Sequence, residues 1–218
     1  MSILDALAND SRSENKTYGV AAGLVTNNQD PQGLGRVRVK FPWLSDDNES
    51  DWVRIATFMA GNQRGGYFLP EVGDEALVAF EHGDINRPYV IGFLWNGVDK
   101  PPEANSDGKN SIRKITSRSG HEIIFNDDAD QKQEKLEIHT KAGHTIVLDD
   151  SAGAEKIEIK DKSGSNSILF DSVQNSISVE SAMQLKIKSQ MIEIEAGTTM
   201  TIKAGATLTL QGALVKIN

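Results

Sequence analysis

Three features of the sequence predict an all-β chain. Apolar and polar residues alternate strictly over short runs, turn-forming residues separate those runs, and a carboxy-terminal repeat tightens to a period of seven or eight. Together they predict a small closed barrel followed by an intertwined three-chain prism. Composition sets the bounds. The 218 residues are 38% hydrophobic and only 6% aromatic, with no cysteine and a net charge of −8. No disulfide framework or thiolate site is available. The acidic balance argues against nucleic acid as a partner, since basic surfaces supply most of the affinity for phosphate backbones. No apolar run is long enough to span a bilayer, and Met1 to Ala8 lacks the basic-then-apolar order of an export signal.

The composition divides the chain. Its six prolines all lie at or before Pro102, and only Phe125 and Phe170 of its aromatics fall beyond residue 117. The polar, turn-rich stretch from Asp99 to Asn110 reads as a linker. The expected organisation is a tail over 1–16, able to dock on another protein, a barrel over 17–98, a linker over 99–116 and a shaft over 117–218.

In the first half, Gly35-Arg-Val-Arg-Val-Lys-Phe41 places Val37, Val39 and Phe41 on one face and Arg36, Arg38 and Lys40 on the other. Apolar runs follow at 51–58 and 75–81, and the turn Gly83 to Pro88 joins the latter to Tyr89–Trp95 as a hairpin. Gly92 inside that last strand signals a bulge, which lets a small sheet curl closed. About five short strands in some 80 residues predict an OB-type β-barrel.

The second half repeats. Ser119-Gly-His-Glu-Ile-Ile-Phe-Asn-Asp127 is echoed at 142–150 and 163–171, with Lys135–His139, Lys156–Lys160 and Ser176–Glu180 between and after. The period then shortens: apolar-x-apolar pairs begin at Ile177, Leu185, Ile192, Met200, Leu208 and Val215. Each pair places two apolar side chains on one face of a strand of about four residues. Burying two such side chains yields roughly 3–6 kcal/mol, against about 8–16 kcal/mol of backbone entropy for eight ordered residues. A lone ribbon would also expose two unpaired edges. Three chains wound about one axis remove both problems, giving an intertwined homotrimeric triangular β-helix, a β-prism. Its expected core is Ile177, Val179, Leu185, Ile187, Ile192, Ile194, Met200, Ile202, Leu208, Leu210, Val215 and Ile217. A single-chain three-faced solenoid is the alternative.

Three barrel stretches resemble the OB domain of VgrG and phage baseplate-spike proteins: Gly35–Trp43, Pro70–Phe80 and Gly83–Gly92. Ser111–Phe125 resembles the entry to the same family's β-helix, and Gly212–Asn218 is similar to its blunt tip. The resemblance implies a homotrimeric central spike at the front of the inner tube of a contractile injection system. Such a spike assembles in the cytoplasm within a phage-tail-like particle and is delivered to or through the target envelope, with transient membrane contact. It also implies a PAAR-repeat tip protein on Leu214, Val215, Lys216, Ile217 and Asn218. Family members carry a large hub region before the barrel, so the short stretch here implies a spike-only chain resting on a separate hub. The alternative is a trimeric tail fibre that binds or degrades glycans.

Enzyme signatures are absent from the sequence, and no catalytic residue, cofactor or metal site is assigned. His82, His121, His139 and His144 lack metal-ligand spacing. His121 and His144 follow equivalent repeat glycines, which suggests a corner role, although three-fold symmetry would bring three copies of each around one axis. The HxH pattern that holds iron at some spike tips is missing. Asp127-Asp128, Asp149-Asp150 and Asp171 recur with the repeat, as turn-forming carboxylates or as calcium ligands at the corners. Gly61–Gly66 reads as a barrel loop able to touch a hub, and Arg36, Arg38 and Arg64 as a solvated face or a dock for an acidic hub.

Overall fold

The computed structural model describes residues 16–44 and 48–217. The expected docking tail, apart from Lys16, and the tip residue Asn218 lie outside the described residues. The chain divides into two compact units, Met1–Gly108 and Lys109–Asn218.

The first unit contains β1 (Val20–Asn27), β2 (Arg38–Lys40), β3 (Arg54–Ile55), β4 (Ala60–Gly61), β5 (Arg64–Gly65), β6 (Glu75–Phe80) and β7 (Pro88–Phe93). Five of these strands form one sheet in the order β2-β1-β6-β7-β3, antiparallel except for β3 with β7. An antiparallel bridge from Val37, just before β2, to Val53, just before β3, brings the two edges together. Val37 N–H donates to the Val53 carbonyl at 3.0 Å, and Val53 N–H returns the bond at 2.7 Å. The sheet is thereby closed into a five-stranded barrel with OB connectivity.

Alternation puts Val25, Val37, Val39, Phe41, Val53, Ala76, Val78, Phe80 and Val90 into the barrel interior. The expected bulge is present: Leu77 pairs with Gly92 but Val78 pairs with Val90, so Ile91 is left over and the strand bends. Of the stretch Gly61–Gly66, all but Gly66 lies in the short β4–β5 hairpin, which pairs Ala60 with Gly65 and Gly61 with Arg64. Arg36 and Arg38 are engaged within the barrel. Arg36 donates from Nε and Nη2 to the two Asp30 carboxylate oxygens, each at 2.8 Å, and Asp30 also accepts the Gln32 and Leu34 N–H groups. The Arg36 guanidinium, with the backbone donors, holds the Asp30 carboxyl well below the usual carboxylate range. Arg38 pairs with Glu49 at 2.9 Å and lies over the Trp52 ring.

The second unit begins with a seven-stranded antiparallel meander in chain order. Its strands are β8 (Ile112–Thr116), β9 (Glu122–Asn126), β10 (Lys135–His139), β11 (Thr145–Asp149), β12 (Lys156–Lys160), β13 (Ser167–Asp171) and β14 (Ser176–Glu180). Two expectations are corrected. The last five residues of the stretch read as linker form β8, paired from Ile112↔Asn126 to Thr116↔Glu122. Strands as far as β14 pair within the chain rather than between chains. The reason lies in the connections. Each reversal contains a residue in the left-handed region, such as Gly120 (φ 82°), Lys132 (φ 54°), Gly143 (φ 95°) or Asn175 (φ 51°), which lets a hairpin turn back.

Beyond Glu180 the chain changes character. No strand occurs among the described residues 181–217; the chain runs straight between bends at 182–183, 190, 197–198, 205–206 and 213. Those bends repeat at seven or eight residues, and Leu185, Ile192, Met200, Leu208 and Val215 each start an apolar pair between them or beyond the last. Gly197, Gly205 and Gly212 are not left-handed. The chain therefore turns corners here without reversing.

Two predictions test these local arguments. A Cβ on Gly23 would lie 2.5 Å from Val39 Cγ1 and 3.0 Å from the Lys40 carbonyl oxygen. Gly23→Ala should therefore destabilise the barrel by about 1–3 kcal/mol, the usual cost of overpacking. Tryptophan fluorescence reads this unit alone, because Trp43, Trp52 and Trp95 all lie in it. In the turn 161–166, Asn166 and Ser163 donate to the Asp161 carboxylate and hold its pKa at about 2, below 3.8. A depressed acid contributes stability above its unfolded value and loses it as pH falls through the folded one. The turn should thus loosen between about pH 4 and pH 2 in the native chain but not in Asp161→Ala, as read from turn amide NMR shifts.

Candidate functional site

The cross-strand register sorts the meander's side chains into columns. On one face, Ile115, Ile123, Ile138, Ile146, Ile159, Ile168 and Val179 stand in a row. Beside them run Arg113, Phe125, Leu136, Leu148, Ile157, Phe170 and Ile177. Apart from Arg113, which pairs with Asp127 at the margin, this face is an apolar stripe two residues wide and seven strands long. It is uncovered: Ile146 is 37% exposed, Phe170 40% and Ile177 68%. Covering these side chains would yield on the order of 10 kcal/mol per chain, at about 25 cal/mol per Å². A stripe of this extent marks an interaction surface.

The opposite face is mixed: its central column reads Lys114, Ile124, Glu137, Val147, Glu158, Leu169 and Ser178, and its charged groups are paired. Glu137 lies between Lys135, 2.8 Å away, and His139, 3.3 Å away. Glu158 holds the same place between Lys160 at 2.7 Å and Lys156 at 3.6 Å. The Lys160 ammonium, then Lys156, keeps the Glu158 carboxyl below its usual range, and Lys114 does the same for Glu122. One flanking column reads Lys135, Asp149, Lys156, Asp171, alternating in sign across four strands. Opposite charges set directly across strands favour this pairing register.

The predicted core residues fall into two groups. Ile177 and Val179 end the two apolar columns on β14. The rest lie on the unpaired segment, where Ile194 is 72% and Ile202 62% exposed. Leu185, with Ile138, Ile146, Ile159, Ile168 and Val179, lines an open cleft of about 530 Å³. Of the tip residues, Leu214, Val215 and Ile217 are exposed. The apolar columns of β8 to β13 were missing from the predicted core. Their signal was the same apolar-x-apolar spacing, already visible at Leu136-Glu-Ile138 and Ile157-Glu-Ile159.

The repeat carboxylates act locally. Asp127 pairs with Arg113, while Asp128, Asp149 and Asp171 accept the N–H groups of Gln131, Ser151 and Gln174 in their turns. Such side-chain-to-backbone bonds are the ordinary work of Asp in turns. His121 and His144 lie in turns at one edge of the meander, and His139 lies on the mixed face, so none is on the apolar stripe.

Comparison with known proteins places the barrel first. Residues 21–95 match the type VI secretion system/phage-baseplate injector OB domain. The chain is 37% identical over 111 residues to the type VI secretion system spike protein VgrG4b of Pseudomonas aeruginosa, covering 42% of this chain and 14% of that protein. It is 34% identical over 108 residues to the spike protein VgrG3 of Vibrio cholerae, covering 46% of this chain and 11% of that one. Another Vibrio cholerae relative, the actin cross-linking toxin VgrG1, is 33% identical over 107 residues, or 45% of this chain and 10% of the toxin. The chain thus matches only about a tenth to a fifth of the length of these and similar relatives. Residues 21–95 thus form an injector OB domain closed as a barrel, and the chain is similar to VgrG spike proteins over about half its length.

Proposed function

We propose that this chain is a structural component of the central spike of a contractile injection system and works as a homotrimer. The observation that carries the reading is the segment 181–217. It is extended, bent every seven or eight residues, exposed throughout its length and free of any strand among the described residues. Backbone groups in such a ribbon need partner strands, and its apolar pairs need a common interior. Three chains related by a three-fold axis supply both. Each meander then turns its apolar stripe inward, and the charged face of β10 and β12 meets solvent.

In this reading the chain is not an enzyme; it works by stiffness. The toxin relative matches over only a tenth of its own length, so its named activity is not carried over to this chain. The tip side chains Leu214, Val215 and Ile217, repeated three times, form an apolar blunt end suited to a PAAR-repeat cap. A hub protein would meet the barrel side. The assembled particle would form in the cytoplasm and carry the spike to a target envelope, which it would breach mechanically.

Light scattering on the purified chain should give about three times its 23.7 kDa mass; a folded monomer would overturn the reading. Ile194→Asp or Ile202→Asp would each place three like charges around one axis, where unpaired buried charge costs several kcal/mol. Either variant should lose the trimeric shaft while the tryptophan signal of the barrel persists.

A further inference from the structure

Three turns stack along one edge of the meander with the same internal wiring. In the first, Gly120 N–H donates to the Ser117 carbonyl, and His121 N–H donates to Ser117 Oγ at 3.0 Å. In the second, Gly143 N–H donates to the Thr140 carbonyl, and His144 N–H donates to Thr140 Oγ1 at 3.0 Å. In the third, Gly164 N–H donates to the Asp161 carbonyl, and Asn166 N–H donates to Asp161 Oδ1 at 3.2 Å. The last residue of each turn then reaches the backbone of the next. Lys141 N–H donates to His121 Nδ1 at 3.4 Å, and Lys162 N–H donates to His144 Nδ1 at 3.2 Å. Ala182 N–H donates to Asn166 Oδ1 at 3.2 Å. His121, His144 and Asn166 thus hold one structural position, and each clamps the following turn.

We propose that His121 and His144 are a pH-sensitive latch on the turn edge of the meander, closed while Nδ1 is unprotonated and released by its protonation. An imidazole accepts at Nδ1 only as the neutral tautomer with its proton on Nε2; the cation has two donors and no acceptor. Clamp and proton compete for one lone pair. The clamp is therefore present while Nδ1 carries its free lone pair and lost when Nδ1 takes up a proton. The charged groups on the turns and strands around His121 are Arg118, Glu122, Lys141 and His139. Around His144 they are Lys141, Lys160, Asp161 and Lys162. Asn166 does not titrate, so the third clamp, from which the unpaired segment departs, stays closed. Above the pH range in which Asp161 titrates, acid would release the first two clamps and leave the exit to segment 181–217 fixed. The contacts lie within one chain, so the latch does not depend on trimerisation.

Amide hydrogen exchange on the full chain tests this, with rates corrected for intrinsic pH dependence. Between about pH 8 and pH 5, the Lys141 and Lys162 amides should lose protection roughly two- to tenfold, the equivalent of one ordinary hydrogen bond. Ala182 should not change. In the double variant His121→Asn, His144→Asn, all three amides should behave like Ala182. His144→Asn alone provides the same test at Lys162, with Lys141 as the titrating control. Parallel loss at all three amides in the native chain, or pH dependence that survives the asparagine substitutions, would overturn the latch.

Discussion

The handedness of a few residues decides how this chain satisfies its backbone. A β-strand needs hydrogen-bonding partners on both sides, and the chain can supply them itself only where it reverses. Between Ile112 and Glu180, residues with positive φ stand at the turns, and every strand finds a neighbour in the same chain. After Glu180 the glycines at 197, 205 and 212 keep out of the left-handed region, and no ladder forms among the described residues. The same alternating apolar pattern therefore gives a self-paired sheet in one stretch and an unpaired ribbon in the next. Other strands could supply what the ribbon lacks, and this is the physical basis for the proposal that this half works by association.

The barrel meets the same requirement differently. The Val37–Val53 bridge joins the sheet's edges, so no edge of the five strands remains to be managed, and the valine-rich interior is sealed by closure. The meander has seven strands but no bridge between β8 and β14, so it stays open and shows one apolar face. A barrel of this size is complete as a folding unit; an open sheet with thirteen large apolar side chains on one face is not.

How far the sequence reveals this depends on the residue. Val37, Val39 and Phe41 alternate with charged neighbours, and two-residue periodicity leaves one choice of interior face. Gly92 marked the bulge because a strand interior gives glycine little else to do. The period of the repeat was equally legible, as the bends at 190, 197 and 205, seven or eight residues apart, show. Strand partners were not. Leu136-Glu-Ile138 and Ile192-Glu-Ile194 carry the same pattern, yet one sits in a sheet and the other does not. The difference lies in the φ of connecting residues, which Lys132 and Asn175 do not announce. The turn clamps were hidden for a related reason: His121 and His144 looked alike in sequence, but their equivalence to Asn166 appears only when the turns stack.

The two faces of the meander carry different information. The apolar stripe offers area to bury but, being made of interchangeable Ile, Leu and Phe, says little about register. The mixed face supplies that information. With Lys135, Asp149, Lys156 and Asp171 opposed in alternating sign, a slip of one residue would break the charge column and turn the apolar residues outward together. The ion pairs at Glu137 and Glu158 join carboxylates that are only 15% exposed to partners that reach toward solvent. Their value lies in penalising wrong alignments, which leaves the apolar face to supply the stability once the alignment is set.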